Sequence, residues 1–318
     1  MRPQNGLRLI RSGVAAALTS AFVRPITTAI PANRAGIAFS RRFIASSLWL
    51  ASPPLKGSRI EPGVRGEWVH GPEVGDSDAV VLYIHGSGYA LCSVQTHRGL
   101  TTRVSAGTGL PVFACEYRLA PRHRFPNAAD DVRAAYDRLV EQRYQRILVA
   151  GDSAGGHLAV DLAAQLIRER RVPPAALALF SPLFDVTFSL AAERERMRRD
   201  PMISAAAAAK LVGLYTVDAD LESARLRFAF DDLDGFPPTL IQAGGREMLA
   251  ADAIELARAL RRTGALCELD VVPGQMHVFQ ALTRFIPEAG PAMDRACRFL
   301  TEHLAVADVA DVIKREAS

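Results

Sequence analysis

From Gly66 onward, short apolar runs alternate with helix-like stretches, and this alternation constrains the fold more than any other feature. The strand candidates are GEWVHG (66–71), AVVLYIHG (79–86), PVFACEYR (111–118), RILVAGDS (146–153), ALALFSPL (176–183), TLIQAGG (239–245) and CELDVVPG (267–274). Apolar residues at helical spacing lie between most of them, near 95–106, 127–143, 155–171, 249–263 and 289–304. Several strand runs are apolar throughout, as strands buried on both faces of a parallel sheet must be. The order strand–helix–strand predicts an α/β fold, a mostly parallel central sheet with helices on both faces. At 318 residues the chain has room for one large domain with an added subdomain.

The alternation stops between 184 and 238. A charged run, AAERERMRRDP, is followed there by an alanine-rich stretch, SAAAAAKLVGLY. This reads as a helical insertion that forms a lid over one edge of the sheet together with the first 60 residues. The expected organisation is cap helices at 1–60, an α/β core at 61–184 and 226–305, a helical cap insertion at 185–225, and a C-terminal tail at 306–318. No internal repeat and no long linker divides the chain further.

Charge is unevenly spread. Residues 1–60 hold nine Arg or Lys and no acid, whereas the remainder holds 29 bases and 34 acids. Such asymmetry points to a membrane-facing or targeting segment. The bases are scattered and aromatics are few, so nucleic acid is not an expected partner. The opening stretch LRLIRSGVAAALTSAFVRP resembles a signal peptide in its two early arginines. Arg24 and Pro25 end its apolar run too soon to span a bilayer, and no clean A-x-A site follows. Leu7, Ile10, Val14, Leu18 and Phe22 fall at helical spacing, so an amphipathic helix is the preferred reading. The expected location is cytoplasmic, with membrane association through residues 1–60 as the alternative.

Four cysteines, Cys92, Cys115, Cys267 and Cys297, stand far apart, and no C-x-x-C pair exists. A zinc site or redox dithiol is therefore not expected. Cys115 and Cys267 sit in strand runs and read as core thiols. No two histidines have metal-ligand spacing, so neither a metal nor any other cofactor is expected. His157 reads as structural, and His70, His97, His123 and His303 show no partner pattern.

The motif with the clearest chemistry is GDSAGG (151–156). It contains G-x-S-x-G between a strand and a helix, with Leu158, Leu162 and Leu166 on one helical face. A serine on so sharp a turn lifts its hydroxyl clear of the sheet, and the turn needs small neighbours, here Gly151 and Gly155. Ser153 is the candidate nucleophile. HGSGY (85–89) ends the strand AVVLYI, where a loop can aim backbone N–H groups at a developing oxyanion. The donors would be Ser87 and Gly88, with Ala154 as the third, and His85, Gly86 and Asp152 complete the two motifs. GQMHVF (274–279) follows the last strand, and His277 would be the general base. Between nucleophile and base, GGREMLAAD (244–252) offers two acids. Glu247 lies in the loop just past a strand, at the carboxyl edge where open α/β sheets build sites. Asp252 lies inside the next helix, where an acid needs no catalytic reason because it complements the dipole. Glu247 is therefore assigned to orient His277, giving the chain order serine, acid, histidine of an α/β-hydrolase.

These residues resemble the hormone-sensitive-lipase-like branch of α/β-hydrolase esterases, especially those of actinobacteria. His85-Gly86-Ser87-Gly88-Tyr89 looks like the branch's HGGG loop. Tyr117-Arg118-Leu119-Ala120-Pro121 with Phe125-Pro126 resembles its YRLAP…FP segment, and Gly151-Asp152-Ser153-Ala154-Gly155-Gly156 is its nucleophile motif unchanged. Ser181-Pro182-Leu183-Phe184-Asp185, Asp200-Pro201, Gly235-Phe236-Pro237-Pro238-Thr239-Leu240 and His277-Val278-Phe279 match as well. The resemblance spans roughly 65 to 305; residues 1–60 match only in character, and the last dozen match nothing. It implies an α/β-hydrolase fold and hydrolysis of short- or medium-chain carboxylic esters, with Ser153 as nucleophile, His277 as base, and Ser87, Gly88 and Ala154 as oxyanion hole. Members of the branch often dimerise, so a homodimer is admitted.

Two departures stand out. Ser87 replaces the middle glycine of HGGG, and Glu247 replaces the aspartate that usually opens the acid motif. Three functions compete: a serine esterase, a membrane-docked lipase on longer lipids, and a ligand-binding module on a disabled hydrolase fold, as in the plant gibberellin receptors. The receptors lose the histidine; His277 is present here, which favours catalysis. Amides, thioesters and lactones share the machinery and stay open as substrates.

Overall fold

The computed structural model describes residues 19–29, 33–86 and 88–316. Leu7, Ile10, Val14 and Leu18 of the expected N-terminal helix, and the oxyanion candidate Ser87, lie outside them. Eight strands form one sheet: β1 (Arg59–Gly63), β2 (Gly66–His70), β3 (Ala79–Ile84), β4 (Val112–Cys115), β5 (Arg146–Asp152), β6 (Leu177–Phe180), β7 (Thr239–Gly244) and β8 (Cys267–Val272). Their order is β1-β2-β4-β3-β5-β6-β7-β8. β2 pairs antiparallel with both β1 and β4, and the remaining pairings, from β4–β3 to β7–β8, are parallel. The chain turns from β3 to β4 on one side and to β5 on the other, a topological switch at the carboxyl edge.

All seven expected strands are present. The eighth, β1, has the sequence RIEPG, polar and interrupted by proline, and it occupies the sheet's edge, where a missing N–H is tolerated. The helices are α1 (Arg24–Ala29), α2 (Arg34–Ala51), α3 (Val94–Thr108), α4 (Asn127–Glu141), α5 (Ala154–Arg168), α6 (Ser189–Met197), α7 (Ala205–Thr216), α8 (Ala250–Arg262) and α9 (Ala289–Glu316). A π-helical turn, Thr19–Val23, precedes α1. Helix α9 runs through most of the stretch expected as a tail.

The strand period of two divides the core between the two faces of the sheet. Val80, Leu82 and Ile84 of β3, with Ile147 and Val149 of β5, join α4, α5 and α8 in one cluster. Val81 and Tyr83 of β3, with Leu148 and Ala150 of β5, meet Leu100 and Val104 of α3 and Met293, Phe299 and Leu300 of α9 on the other face. Both faces are covered, which is why these strands are apolar at every position. Cys115 and Cys267 are buried in the first cluster, as expected. Helices α6 and α7 fill the break between β6 and β7, and α2 lies against α3. Among the described residues, no helix is long and apolar enough to cross a membrane.

Candidate active site

Strand β5 delivers Ser153 to the carboxyl edge of the sheet. Its φ of 52° and ψ of −119° place a non-glycine residue in a sparsely populated backbone region. The turn is held from both sides: the Ser153 N–H donates to Phe180 O (2.9 Å), and the Leu183 N–H donates to Ser153 O (3.0 Å). The turn also requires Gly155, because a Cβ there would lie 2.1 Å from the Ile84 carbonyl oxygen. Ala154 opens α5, so its N–H has no partner within the helix. Gly88, in the loop after β3, has a φ of 54°.

Next to Ser153 in the chain, Asp152 makes a pairing that the sequence did not reveal. Asp152 is buried and accepts hydrogen bonds from Tyr83 Oη (2.9 Å) and His97 Nε2 (3.3 Å). Burial pushes the Asp152 carboxyl up, but His97, Tyr83 and the Gly86 N–H outweigh it and hold the carboxyl below its ordinary range. His97 moves the opposite way: burial lowers it, and Asp152 raises it further. The two shifts agree on a charged pair. A Cβ on Gly86 would lie 2.0 Å from Asp152 Oδ2, so the first glycine of HGSG is dictated by this carboxylate. His97 comes from α3, 55 residues before its partner, and no local spacing announces the contact. His85 stacks on Tyr117 at 4.3 Å, and its burial pushes the imidazole down to about 3, so it stays neutral.

Glu247 and His277 meet because their loops are hydrogen-bonded. The Gly245 N–H donates to Val272 O (2.8 Å), and the Arg246 N–H donates to Gln275 O (2.8 Å). Glu247, fully buried, sits 2.6 Å from His277 Nδ1 through Oε2 and accepts the Gly244 N–H through Oε1 (2.8 Å). Burial lowers the His277 imidazole, but Glu247, with help from Asp200 and Asp152, raises it above its ordinary value. The His277 side chain keeps 20% of its surface exposed. Asp252 is also fully buried, in the first turn of α8, and its Oδ1 accepts the N–H groups of Phe184 (3.0 Å) and Asp185 (2.8 Å). The expectation that it is a helix residue stands, but its measurable task is to anchor the loop after β6.

The insertion grips the acid loop from two directions. Arg194 of α6 donates to Glu247 O and Gly245 O, each at 2.9 Å. Asp200 accepts the Met248 N–H at 2.8 Å, and its other oxygen accepts from Met202 (2.7 Å). Arg24 of α1 donates to the Asp200 carbonyl and to Glu195 Oε1 (2.6 Å), tying the N-terminal cap to the same point. The Asp200-Pro201 pair was visible in the sequence as a match; the contacts of Asp200 with Met248 and of Arg194 with Gly245 and Glu247 span dozens of residues and were not.

Ser153, His277, Gly86 and Gly88 open onto one cavity of about 320 Å³. Its walls are apolar: Phe43 and Leu48 come from α2, Leu211 from α7, and Leu183, Phe188 and Met248 from the core loops. A second cavity of about 440 Å³ adjoins it, sharing Phe43, Leu91 and Leu211.

Residues 81–281 match the family model described as the alpha/beta hydrolase fold. An esterase of Acinetobacter venetianus is 31% identical over 243 residues, covering 75% of this chain and 79% of that protein. An acetyl-hydrolase of Streptomyces hygroscopicus is 36% identical over 237 residues, covering 74% and 78%. The crystal structure of an esterase from the bacterial hormone-sensitive lipase family superposes with a TM-score of 0.82 at 30% identity, over 91% of this chain and 97% of that one. With the serine on its strand-to-helix turn and the fold around it, the chain belongs to the α/β-hydrolase fold family, among the esterases of hormone-sensitive-lipase type.

Proposed function

We propose that the protein is a serine carboxylesterase that hydrolyses short- to medium-chain carboxylic esters. One observation carries this reading: a Glu247–His277 pair at 2.6 Å opens onto the same apolar cavity as a serine held in a strained turn. In this mechanism Ser153 Oγ attacks the ester carbonyl carbon while His277 Nε2 takes its proton. The carbonyl oxygen becomes an oxyanion, for which the N–H groups of Gly88 and Ala154 are the proposed donors, with Ser87 the further candidate of the sequence motif. The buried Glu247 carboxylate holds the ring through Nδ1 and stabilises the imidazolium. The proton passes to the departing alcohol, leaving an acyl group on Ser153. Water, deprotonated by His277, then releases the acid and restores the serine.

The cavity supports the chain-length part of the reading. About 320 Å³ lies at the small end of ligand sites, which run roughly 300–1,000 Å³. A lipase reading draws on a different observation, the acid-free, basic first 60 residues, which favour peripheral contact with a membrane. Ser153→Ala is expected to abolish hydrolysis of p-nitrophenyl butyrate; turnover near that of the unmodified chain would overturn the nucleophile assignment.

A further inference from the structure

We propose that the outer face of α2 is a docking surface for an anionic lipid membrane, which would bring lipid esters to the cavity behind it. The proposal rests on the esterase reading for the purpose of docking, but not for the docking itself.

Helix α2 is apolar on two opposite sides. Its inner side buries Ile37 and lends Ile44 and Leu48 to the cavity wall. Its outer side carries Phe39, Arg42, Ser46, Trp49 and Leu50 at spacings of three and four. Phe39 is 54% exposed, Trp49 72% and Leu50 54%. Arg284 donates from its N–H to Ala51 O (3.2 Å) and from its guanidinium to Leu50 O (3.0 Å). Those bonds set Phe285, 51% exposed, beside the end of the helix. A surface helix normally turns charge outward, so an apolar outer face needs an occupant.

Charge selects that occupant. Helix α2 contains no acid, and neither do the first 60 residues, which hold nine bases; Arg42 is exposed on the apolar face itself, and Arg34 is exposed at the start of the helix. A second copy docking through this face about a two-fold axis would bring the same basic surface against itself. An anionic membrane supplies the missing negative charge, and an interfacial tryptophan with flanking arginines is the composition that lies at headgroup depth. Position agrees with charge: Phe39 stacks on Phe43 at 6.2 Å, and Phe43 is a wall of the cavity holding Ser153. One stacked ring pair thus separates the outer face from the cavity.

The chain has two tryptophans, so a full-length Trp68→Phe variant reports on Trp49 alone. Added phosphatidylglycerol vesicles should shift its emission to the blue and shield it from acrylamide; phosphatidylcholine vesicles should not. Replacing Arg34 and Arg42 together by Gln should weaken co-sedimentation with phosphatidylglycerol about thirtyfold. Turnover of a water-soluble ester should be unchanged in that variant. Unchanged emission on phosphatidylglycerol, or equal partitioning onto phosphatidylcholine, would overturn the proposal. So would a Trp49 already shielded without lipid, whether by residues 1–18 or by a second copy. Absent turnover of soluble ester in the unmodified chain would sink the esterase reading instead and leave the fluorescence result standing.

Discussion

Glu247 and Asp252 stand five residues apart, both fully buried, and their partners divide the labour between them. Glu247 is bonded to His277, and Asp252 to the backbone after β6. Glu247→Gln should lower kcat about a thousandfold or more, since the amide loses the charge that stabilises the imidazolium. The same change should move the acid limb of the pH–rate profile to lower pH, because Glu247 raises the His277 imidazole. An acid limb that stays put would show that Glu247 does not act on His277. Asp252→Asn should leave kcat within a few-fold. Its effect belongs to stability: burial pushes the Asp252 carboxyl up to about 7, although the N–H groups of Asp185 and Phe184 oppose the rise. Between about pH 4 and 7 the folded chain binds more protons at this site than the unfolded chain, so stability falls as pH rises through that window. Asp252→Asn should flatten that part of the Tm-against-pH curve; an unaltered slope would contradict the assignment.

At the scale of elements, the site depends on backbone approaches and on a grip from outside the core. A Cβ at Gly155 would meet the Ile84 carbonyl, a backbone atom that cannot step aside, so Gly155→Ala should yield little folded protein. Circular dichroism of the soluble fraction checks this. Arg194→Ala frees the carbonyls of Gly245 and Glu247 and should reduce kcat about ten- to a hundredfold with a smaller change in KM. An unaffected kcat would mean the acid loop holds its own shape. The seven strands, the strand-to-helix turn at Ser153 and the place of Glu247 in the loop past β7 were legible because each is a local pattern: period, turn chemistry, position past a strand. Strand β1 was not, since RIEPG carries neither alternation nor apolar bulk. Nor was the His97–Asp152 pair, nor the grip of Arg194 and Asp200 on the acid loop. Those contacts are set by which helix packs over which strand end, information that no short window contains.

Across the whole molecule, one cavity lies between the sheet's carboxyl edge and helices drawn from two distant parts of the chain. Phe43 and Leu48 of α2 and Leu211 of α7 close it over Ser153, and Arg24 ties the N-terminal cap to the insertion. With a cavity of about 320 Å³, turnover across esters of two to sixteen acyl carbons should peak among the short and middle lengths and collapse at sixteen. A maximum at sixteen would move the account to the lipase reading. The central claim is that this cavity runs acyl transfer through Ser153 with His277 as base. It is tested most directly by quenching the reaction with p-nitrophenyl butyrate in acid within the first turnover, then reading the intact mass and the masses of the proteolytic peptides. The account predicts a butyryl adduct on the peptide containing Ser153, formed far more slowly in His277→Ala and absent in Ser153→Ala. An adduct on another residue, or steady hydrolysis by Ser153→Ala, would contradict it.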